Sequence, residues 1–216
     1  MHRRRRTALA VSAALLSAAP LLAACGSEAH PGAAAVVGGE RIEVATVQAK
    51  VKDVRAAQQR SPQSAQLIKD SGQLSRAKLY DLIVEEVVQR AADDAGVKVN
   101  RKEILDARAA LVQQSGGEEQ LTAMYLQQRG VAPDQLNDVV RRDILVSKLA
   151  TALGATNTPE GQQKLNQAFT AAAKSLHIDV NPRFGVWDDN KLELGSYKAP
   201  WISQVSKEQE PVEAGA

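Results

Sequence analysis

The sequence predicts a mainly α-helical domain of about six helices with a small β element, in which an N-terminal strand pairs with a C-terminal strand or hairpin. Three observations predict it. Between Val44 and Leu176, apolar residues recur at spacings of three and four, the period of one helix face. Glycines, prolines and capping residues cut that stretch into pieces of helical length. On either side of it, at Ala34–Val37 and after Leu176, the pattern changes to short apolar or alternating runs bounded by turn residues, which is the chemistry of strands.

Ala34-Ala35-Val36-Val37, closed by Gly38-Gly39, reads as a strand and turn, and Ile42 leads out of it into a first helix. Val44, Val47, Val51 and Val54 form the stripe of that helix, which ends near Ser61-Pro62. Gln63 to Gly72 reads as a polar connection. Leu79, Leu82, Ile83, Val87, Val88 and Ala91 then trace a broader apolar face up to Gly96, marking a central second helix. Asn100 followed by Glu103 is a capping-box arrangement: the Asn side chain accepts from an early helical amide and the Glu reaches back to the Asn amide. A third helix starts there, carries Ile104, Leu105, Ala107 and Leu111, and stops at Ser115-Gly116-Gly117. Leu121, Met124 and Tyr125 mark a short fourth helix ending at Gly130. Pro133 suits the first turn of a fifth, where its missing amide would be unpaired anyway. Leu136, Val139, Val140, Ile144, Leu145 and Leu149 form the buried stripe of that fifth helix, and Gly154 ends it. Thr158-Pro159-Glu160 opens a sixth with a cap, a proline and a negative charge at its positive end, and Leu165, Phe169, Ala172 and Leu176 face inward.

After Leu176 the period becomes two. His177-Ile178-Asp179-Val180 alternates, Asn181-Pro182 interrupts, and Phe184-Gly185-Val186-Trp187 runs extended into the turn Asp188-Asp189-Asn190, with Leu192 and Leu194 on the return. An isolated strand at Val36-Val37 would leave backbone groups unpaired. The early and late strands are therefore expected to pair. From Ser196 the chain reads as irregular and from Lys207 to Ala216 as disordered, with Trp201 the one residue there suited to packing.

The N-terminus carries a different signal. Arg3, Arg4, Arg5 and Arg6 form a positive region, and Thr7 to Ala24 follows without a charge, the pattern of an export signal. A stretch of about 18 residues reaches the lower limit for crossing a bilayer, but Pro20 and the many Ala and Ser make it a poor span. Leu22-Ala23-Ala24-Cys25 resembles the lipobox of bacterial lipoproteins. That resemblance implies cleavage after Ala24, a diacylglyceryl group on the Cys25 thiol, and a protein held by lipid at the outer, extracytoplasmic face of the cell membrane. Two acyl chains make such anchoring stable where one is marginal. The organisation expected is a signal peptide over 1–24, a flexible tether over 25–32, a folded domain over 33–195 and an irregular tail over 196–216.

Charge and composition exclude several functions. Of 27 Lys plus Arg, four lie in the signal, so the processed chain sets 23 against 25 Asp plus Glu. These alternate in sign, whereas a nucleic-acid binder keeps a concentrated basic face. Cys25 is the single cysteine, so once it is acylated neither a disulfide nor a cysteine metal site is available. No G-x-S-x-G, Walker loop, G-x-G-x-x-G or histidine pair at metal-ligand spacing occurs, so neither catalytic residues nor a cofactor, metal or small-molecule ligand is expected. Glu85-Glu86, Asp93-Asp94 and Glu118-Glu119 read as solvated charge, because adjacent helical residues do not face each other. His177 has no second ligand near it in sequence. Met124 and Tyr125 have the adaptable chemistry of a polypeptide-binding groove, though core packing is the first reading of them and client binding the second.

Three stretches carry a family resemblance: Val36-Val37-Gly38-Gly39-Glu40 with Ile42; Leu82-Ile83, Val87-Val88 and Ala95 to Asn100 with Glu103-Ile104; and Gly130 to Leu149 with Leu136, Arg141, Ile144-Leu145 and Lys148. Over roughly Ala33 to Trp187 the chain resembles the N-terminal chaperone module of the SurA and PrsA type, which is similar to the chaperone part of trigger factor. It departs at Gly38, where that family usually has Asn or Asp. The resemblance implies binding of unfolded or extended segments of exported proteins. Many relatives insert a parvulin prolyl-isomerase domain before the last helix, which here would fall between Gly154 and Thr158, where there is no room for a domain. The chain therefore resembles the scaffold without the isomerase. Two function classes remain, a membrane-tethered chaperone-like module and a structural or interaction lipoprotein holding one envelope partner. A transporter's solute-binding protein is disfavoured by the short chain and by an aromatic content of 3%, too low for a sugar-stacking site.

Overall fold

The computed structural model describes residues 31–155 and 157–196; the lipobox with Ala24 and Cys25, and the tail with Trp201, lie outside the described residues. The chain divides after Pro31, and every helix and strand named here belongs to the second unit. Among the described residues seven α-helices and five strands are arranged in the order β1 (Ala33–Val37), β2 (Glu40–Glu43), α1 (Val44–Arg60), α2 (Ser64–Asp70), α3 (Leu74–Asp94), α4 (Arg101–Ser115), α5 (Glu118–Arg129), α6 (Leu136–Ala152), α7 (Pro159–Leu176), β3 (Asp179–Val180), β4 (Val186–Asp188) and β5 (Glu193–Gly195).

The predicted pairing of the ends is present. β1 and β3 run antiparallel with Ala35 opposite Val180 and Val36 opposite Asp179. Asn181 extends the pairing, its backbone and side-chain amides donating to the Ala34 and Ala33 carbonyls at 2.9 and 3.1 Å. The other partner of β1 departs from expectation. Glu40–Glu43, read as a lead into the first helix, is a strand that returns along β1 with Val37 opposite Glu40. The reason is local: Gly38 and Gly39 both take positive φ, 60° and 85°, as a two-residue type I′ hairpin turn requires. The Gly38 amide also donates to the Leu176 carbonyl at 2.6 Å, tying the turn to the end of α7.

The main core collects Ala34, Ala35 and Val37 of β1, Val47 of α1, Leu79, Ile83, Val87 and Ala91 of α3, Leu149 of α6, Ala172, Ala173 and Leu176 of α7, and Val180 of β3. Helix α3 supplies the most side chains because its apolar face is the broadest. Ala33, Ala34 and Ala35 are all fully buried, so β1 is covered on both faces and small side chains let its neighbours approach. A second cluster, Leu121, Tyr125, Val131, Leu136, Val139 and Val140, packs α5 and α6 with half-buried residues of α4.

Caps fall where the residues place them. The Asn100 side chain accepts from the Glu103 amide at 3.0 Å and Glu103 Oε2 accepts from the Asn100 amide at 2.8 Å. Thr158 Oγ1 accepts from the Gly161 amide at 3.2 Å, with Pro159 in the first turn of α7. Two assignments change. Pro133–Gln135 is a single 3-10 turn leading into α6, not the first turn of an α-helix. Residues 64–70, within the expected polar connection, form α2, which buries no residue of its own and so gives no periodicity to read. Side-chain hydrogen bonds hold it: Arg55 Nη2 donates to the Ser71 carbonyl at 2.9 Å, and Ser71 Oγ to the Leu67 carbonyl at 2.6 Å.

At the C-terminal side, β4 and β5 form the expected hairpin, with Trp187 opposite Leu194. Asp188 Oδ1 accepts from the amides of Asn190 and Lys191, the Asx geometry that turns the chain. Gly185, at φ 135°, lets the hairpin close: a Cβ there would lie 2.3 Å from the Gly195 carbonyl oxygen.

Candidate functional site: a groove between helix α3 and the C-terminal hairpin

Two concavities border helix α3. The first is a narrow charged cleft of about 40 Å³ between α1, α3 and α6. Lys78 is only 4% exposed, and its Nζ meets Asp81 Oδ2 at 2.7 Å, while Arg142 approaches the other Asp81 oxygen at 3.8 Å. Lys50 Nζ meets Asp138 Oδ2 at 2.9 Å, and Gln135 Nε2 donates to the Lys50 carbonyl at 3.0 Å. Arg141 lies 3.7 Å from Glu85 and donates to the Gln89 side chain. Each cation here has an anion beside it, so the cleft joins three helices and presents no concentrated charge to a ligand.

Glu85 is the member that sequence reading placed in solvent. Burial holds its carboxyl above the usual carboxylate range, and Asp138 adds to the shift while Arg141 opposes it. A carboxyl whose folded pKa is raised stabilises the fold fully below its unfolded pKa and loses that contribution as pH rises through the folded value. Glu85→Gln should therefore raise the melting temperature at pH 7 and leave it unchanged near pH 3. Thermal scans of the two proteins at both pH values check this, and a lowered melting temperature at pH 7 would show that the Arg141 pair outweighs the burial cost.

The second concavity is open and mixed in character. Gln73, just before α3, and Arg76, Ala77 and Tyr80 on it face Glu193 and Leu194 of β5 across about 420 Å³. On the other side of Arg76 a further 280 Å³ is bounded by Gln48 of α1, Arg183 and Phe184. Tyr80 is 37% exposed, a large side chain at the surface, and the Tyr80 and Trp187 rings lie 6.1 Å apart. Arg76 fixes the wall of the groove by donating to the Leu194 carbonyl and, at 3.2 Å, to Ser196 Oγ. Phe184 and Leu194 are half-buried, so each offers an edge to the groove while its body packs on the main core. Apolar edges beside glutamine and arginine donors suit an extended polypeptide, whose side chains need apolar contact and whose backbone needs hydrogen-bond partners.

The residues singled out in sequence go elsewhere. Tyr125 is 8% exposed and Met124 half-buried, both in the α5–α6 cluster, and the Arg129 guanidinium lies 5.6 Å from the Tyr125 ring centre. His177 is the left-handed C-cap of α7 at φ 47°, its ring nitrogen 3.0 Å from the Ser175 carbonyl, so β3 starts two residues later than the alternation indicates. Asp93 and Asp94 are exposed and accept from Gln89 and Arg90, one turn back on α3. Sequence reasoning passed over Tyr80. No spacing set it apart: it stands three residues before Ile83 and seven before Val87, on the stripe that reads as core, and only the packing of the helix leaves its ring at the surface.

Set beside known proteins, residues 2–150 match the model of the SurA-like N-terminal domain. The chain belongs to that family. SurA-like N-terminal domains are chaperone-type modules that bind polypeptides. No curated protein and no solved structure gives a significant match to the chain. The match runs from the N-terminal segment into α6 and stops before α7, so β3, which pairs with β1, and β5, which faces α3 across the groove, lie beyond it while α3 lies within it. Within it, two of the residues behind the resemblance have clear structural work. Arg141 joins α6 to α3, and Lys148 joins α6 to the start of α4 through Glu103 Oε1 at 2.7 Å and the Lys98 carbonyl.

Proposed function

We propose that this SurA-like domain is a lipid-anchored, extracytoplasmic holdase that binds unfolded or extended segments of exported proteins and has no prolyl-isomerase activity. The observation that carries it is the open groove at α3, where Tyr80, Phe184 and Leu194 present apolar edges beside Gln73 and Arg76 on a member of a chaperone-type family. It offers more exposed apolar edge than Met124 and Tyr125, whose side chains pack against the α5–α6 cluster, so we place the client contact in the groove. The lipobox-like Leu22–Cys25 supports the anchor, and the arginine-led uncharged segment before it supports export. The absence of isomerase activity is supported by the junction between α6 and α7: α6 ends at Ala152 and α7 begins at Pro159, leaving six residues where relatives insert a parvulin domain.

Two assays on the purified processed chain test this reading. In the first, the protein should slow aggregation of a chemically unfolded model protein in a concentration-dependent way. That effect should survive 1 M salt, where screening over about 3 Å removes most attraction between surface charges. In the second, it should leave the cis/trans rate of a proline tetrapeptide at the uncatalysed value. Holding that vanishes in salt would replace apolar capture with charge-led recognition. No holding at excess protein would favour the structural lipoprotein that serves one envelope partner, and isomerase activity surviving a control purification would move the protein to the enzymes.

A further inference from the structure

The groove lies at the point where the described residues end. Ser196 comes directly after β5, and Arg76 holds both the Leu194 carbonyl and Ser196 Oγ, so the chain leaves at the groove's rim. Beyond Ser196 the sequence runs Tyr197-Lys198-Ala199-Pro200-Trp201-Ile202-Ser203-Gln204-Val205, before the charged stretch from Lys207. This segment carries four large apolar side chains, among them one of the two tryptophans of a chain with only seven aromatic residues. Buried aromatic side chains each remove about 150–250 Å² from water. At the groove, Tyr80 stays exposed at 37%, with the half-buried Leu194 across from it. An apolar surface without cover and an apolar segment issuing from its edge belong together on distance as well as chemistry. Tyr80 stands four residues beyond Arg76 on α3, about 6 Å along the helix axis. Trp201 is five residues beyond Ser196, and an extended chain spans up to about 17 Å over that length. Pro200 favours extended backbone at Ala199, which keeps that reach available. Charge agrees as well: Glu193 is exposed at the groove, and the segment that follows Ser196 carries Lys198, of opposite sign.

We propose that the chain's own C-terminal segment Tyr197–Val205 docks in the α3–hairpin groove, with Trp201 seated against Tyr80 and Leu194. It occupies the surface assigned above to clients, but the docking is read without any client and stands or falls separately from the holdase assay. Trp187→Phe leaves Trp201 as the only tryptophan of the processed chain. Its emission should be blue-shifted and its quenching by acrylamide several-fold weaker than in a free peptide of residues 197–205. Adding Tyr80→Ser should return both to the values of the peptide while far-UV circular dichroism stays unchanged. Should Trp187→Phe fail to fold, 5-fluorotryptophan in the unaltered chain gives two fluorine resonances, assigned with Trp201→Phe, and the Trp201 resonance should show the same protection from solvent. Peptide-like emission or solvent exposure of Trp201 in the folded chain would overturn the proposal. So would burial that Tyr80→Ser does not disturb, which would place Trp201 elsewhere, or burial that appears only as concentration rises, which would give the groove to a second copy's tail.

Discussion

Removing residues 33–42 should abolish the cooperative unfolding transition of the whole domain rather than fray one end. The segment contributes β1, whose Ala33, Ala34 and Ala35 are fully buried and whose Val37 is 3% exposed, and most of β2. It pairs on one side with β2 and on the other with β3, so its loss opens the hydrogen bonds that hold β3 to the rest of the fold. The apolar cost alone is considerable. A buried valine or isoleucine contributes about 1.5–3 kcal/mol and each further buried methylene about 0.8. With Val37, three alanines and half-buried Ile42 together the loss is about 5 kcal/mol or more, comparable with the total stability of about 5–15 kcal/mol of an ordinary domain. The core that β1 joins takes side chains from α3 and, far from it in sequence, from α7 and β3, so loss of β1 reaches both parts of the chain. Thermal and urea unfolding of the truncated chain, followed by circular dichroism, measures this. A melting temperature within a few degrees of the parent's would show that the helices support themselves and that β1 is an ornament on them.

That architecture was legible in sequence wherever burial imposed a period or a backbone requirement imposed a residue. The stripes of α1, α3, α6 and α7 were visible because one face of each packs inward, and the starts of α4 and α7 because their unpaired amides need Asn100 and Thr158. The pairing of β1 with β3 followed from the need of a lone strand for a partner. The elements that stayed hidden lack one of these marks. Helix α2 buries no residue and is held through Arg55 and Ser71, residues that read as ordinary surface. Strand β2 is too short and charged for alternation to show, although the Gly38-Gly39 pair that forces the hairpin was in view.

The candidate groove was harder to see, for a different reason. It is assembled from α3 and β5, more than a hundred residues apart in sequence, and no local pattern reports that approach. Tyr80 carried no hint either, because it stands three residues before Ile83 and seven before Val87, on the stripe that reads as core. Met124 and Tyr125 attracted attention by their chemistry, yet chemistry that adapts to a client also fills a core, and the second cluster uses both. Glu85 shows the same limit in electrostatics: adjacency to Glu86 is local and was read as such, whereas its burial beside Asp138 comes from the packing of α6 on α3.

Cys25→Ser should move the protein out of the membrane fraction altogether or leave it there only as the unprocessed precursor. The proposed anchor depends on one sulfur atom, because Cys25 is the single cysteine in the chain and a serine hydroxyl at its place offers no thiol for diacylglyceryl transfer. The effect is close to all-or-none on physical grounds. A single acyl chain at about 0.8 kcal/mol per buried methylene gives only marginal, reversible attachment, and stable attachment needs a second. Loss of the thiol removes both chains together. No described helix is long and apolar enough to cross a membrane and take over that role. Fractionation of cells expressing each form, with immunoblotting to resolve precursor from processed chain and metabolic labelling with a radioactive fatty acid, gives three independent readouts. The parent should be processed, labelled and sedimenting with membranes; the variant should lose the label and either the sedimentation or the processing. A variant that is cut normally and still sediments with membranes would end the lipoprotein reading.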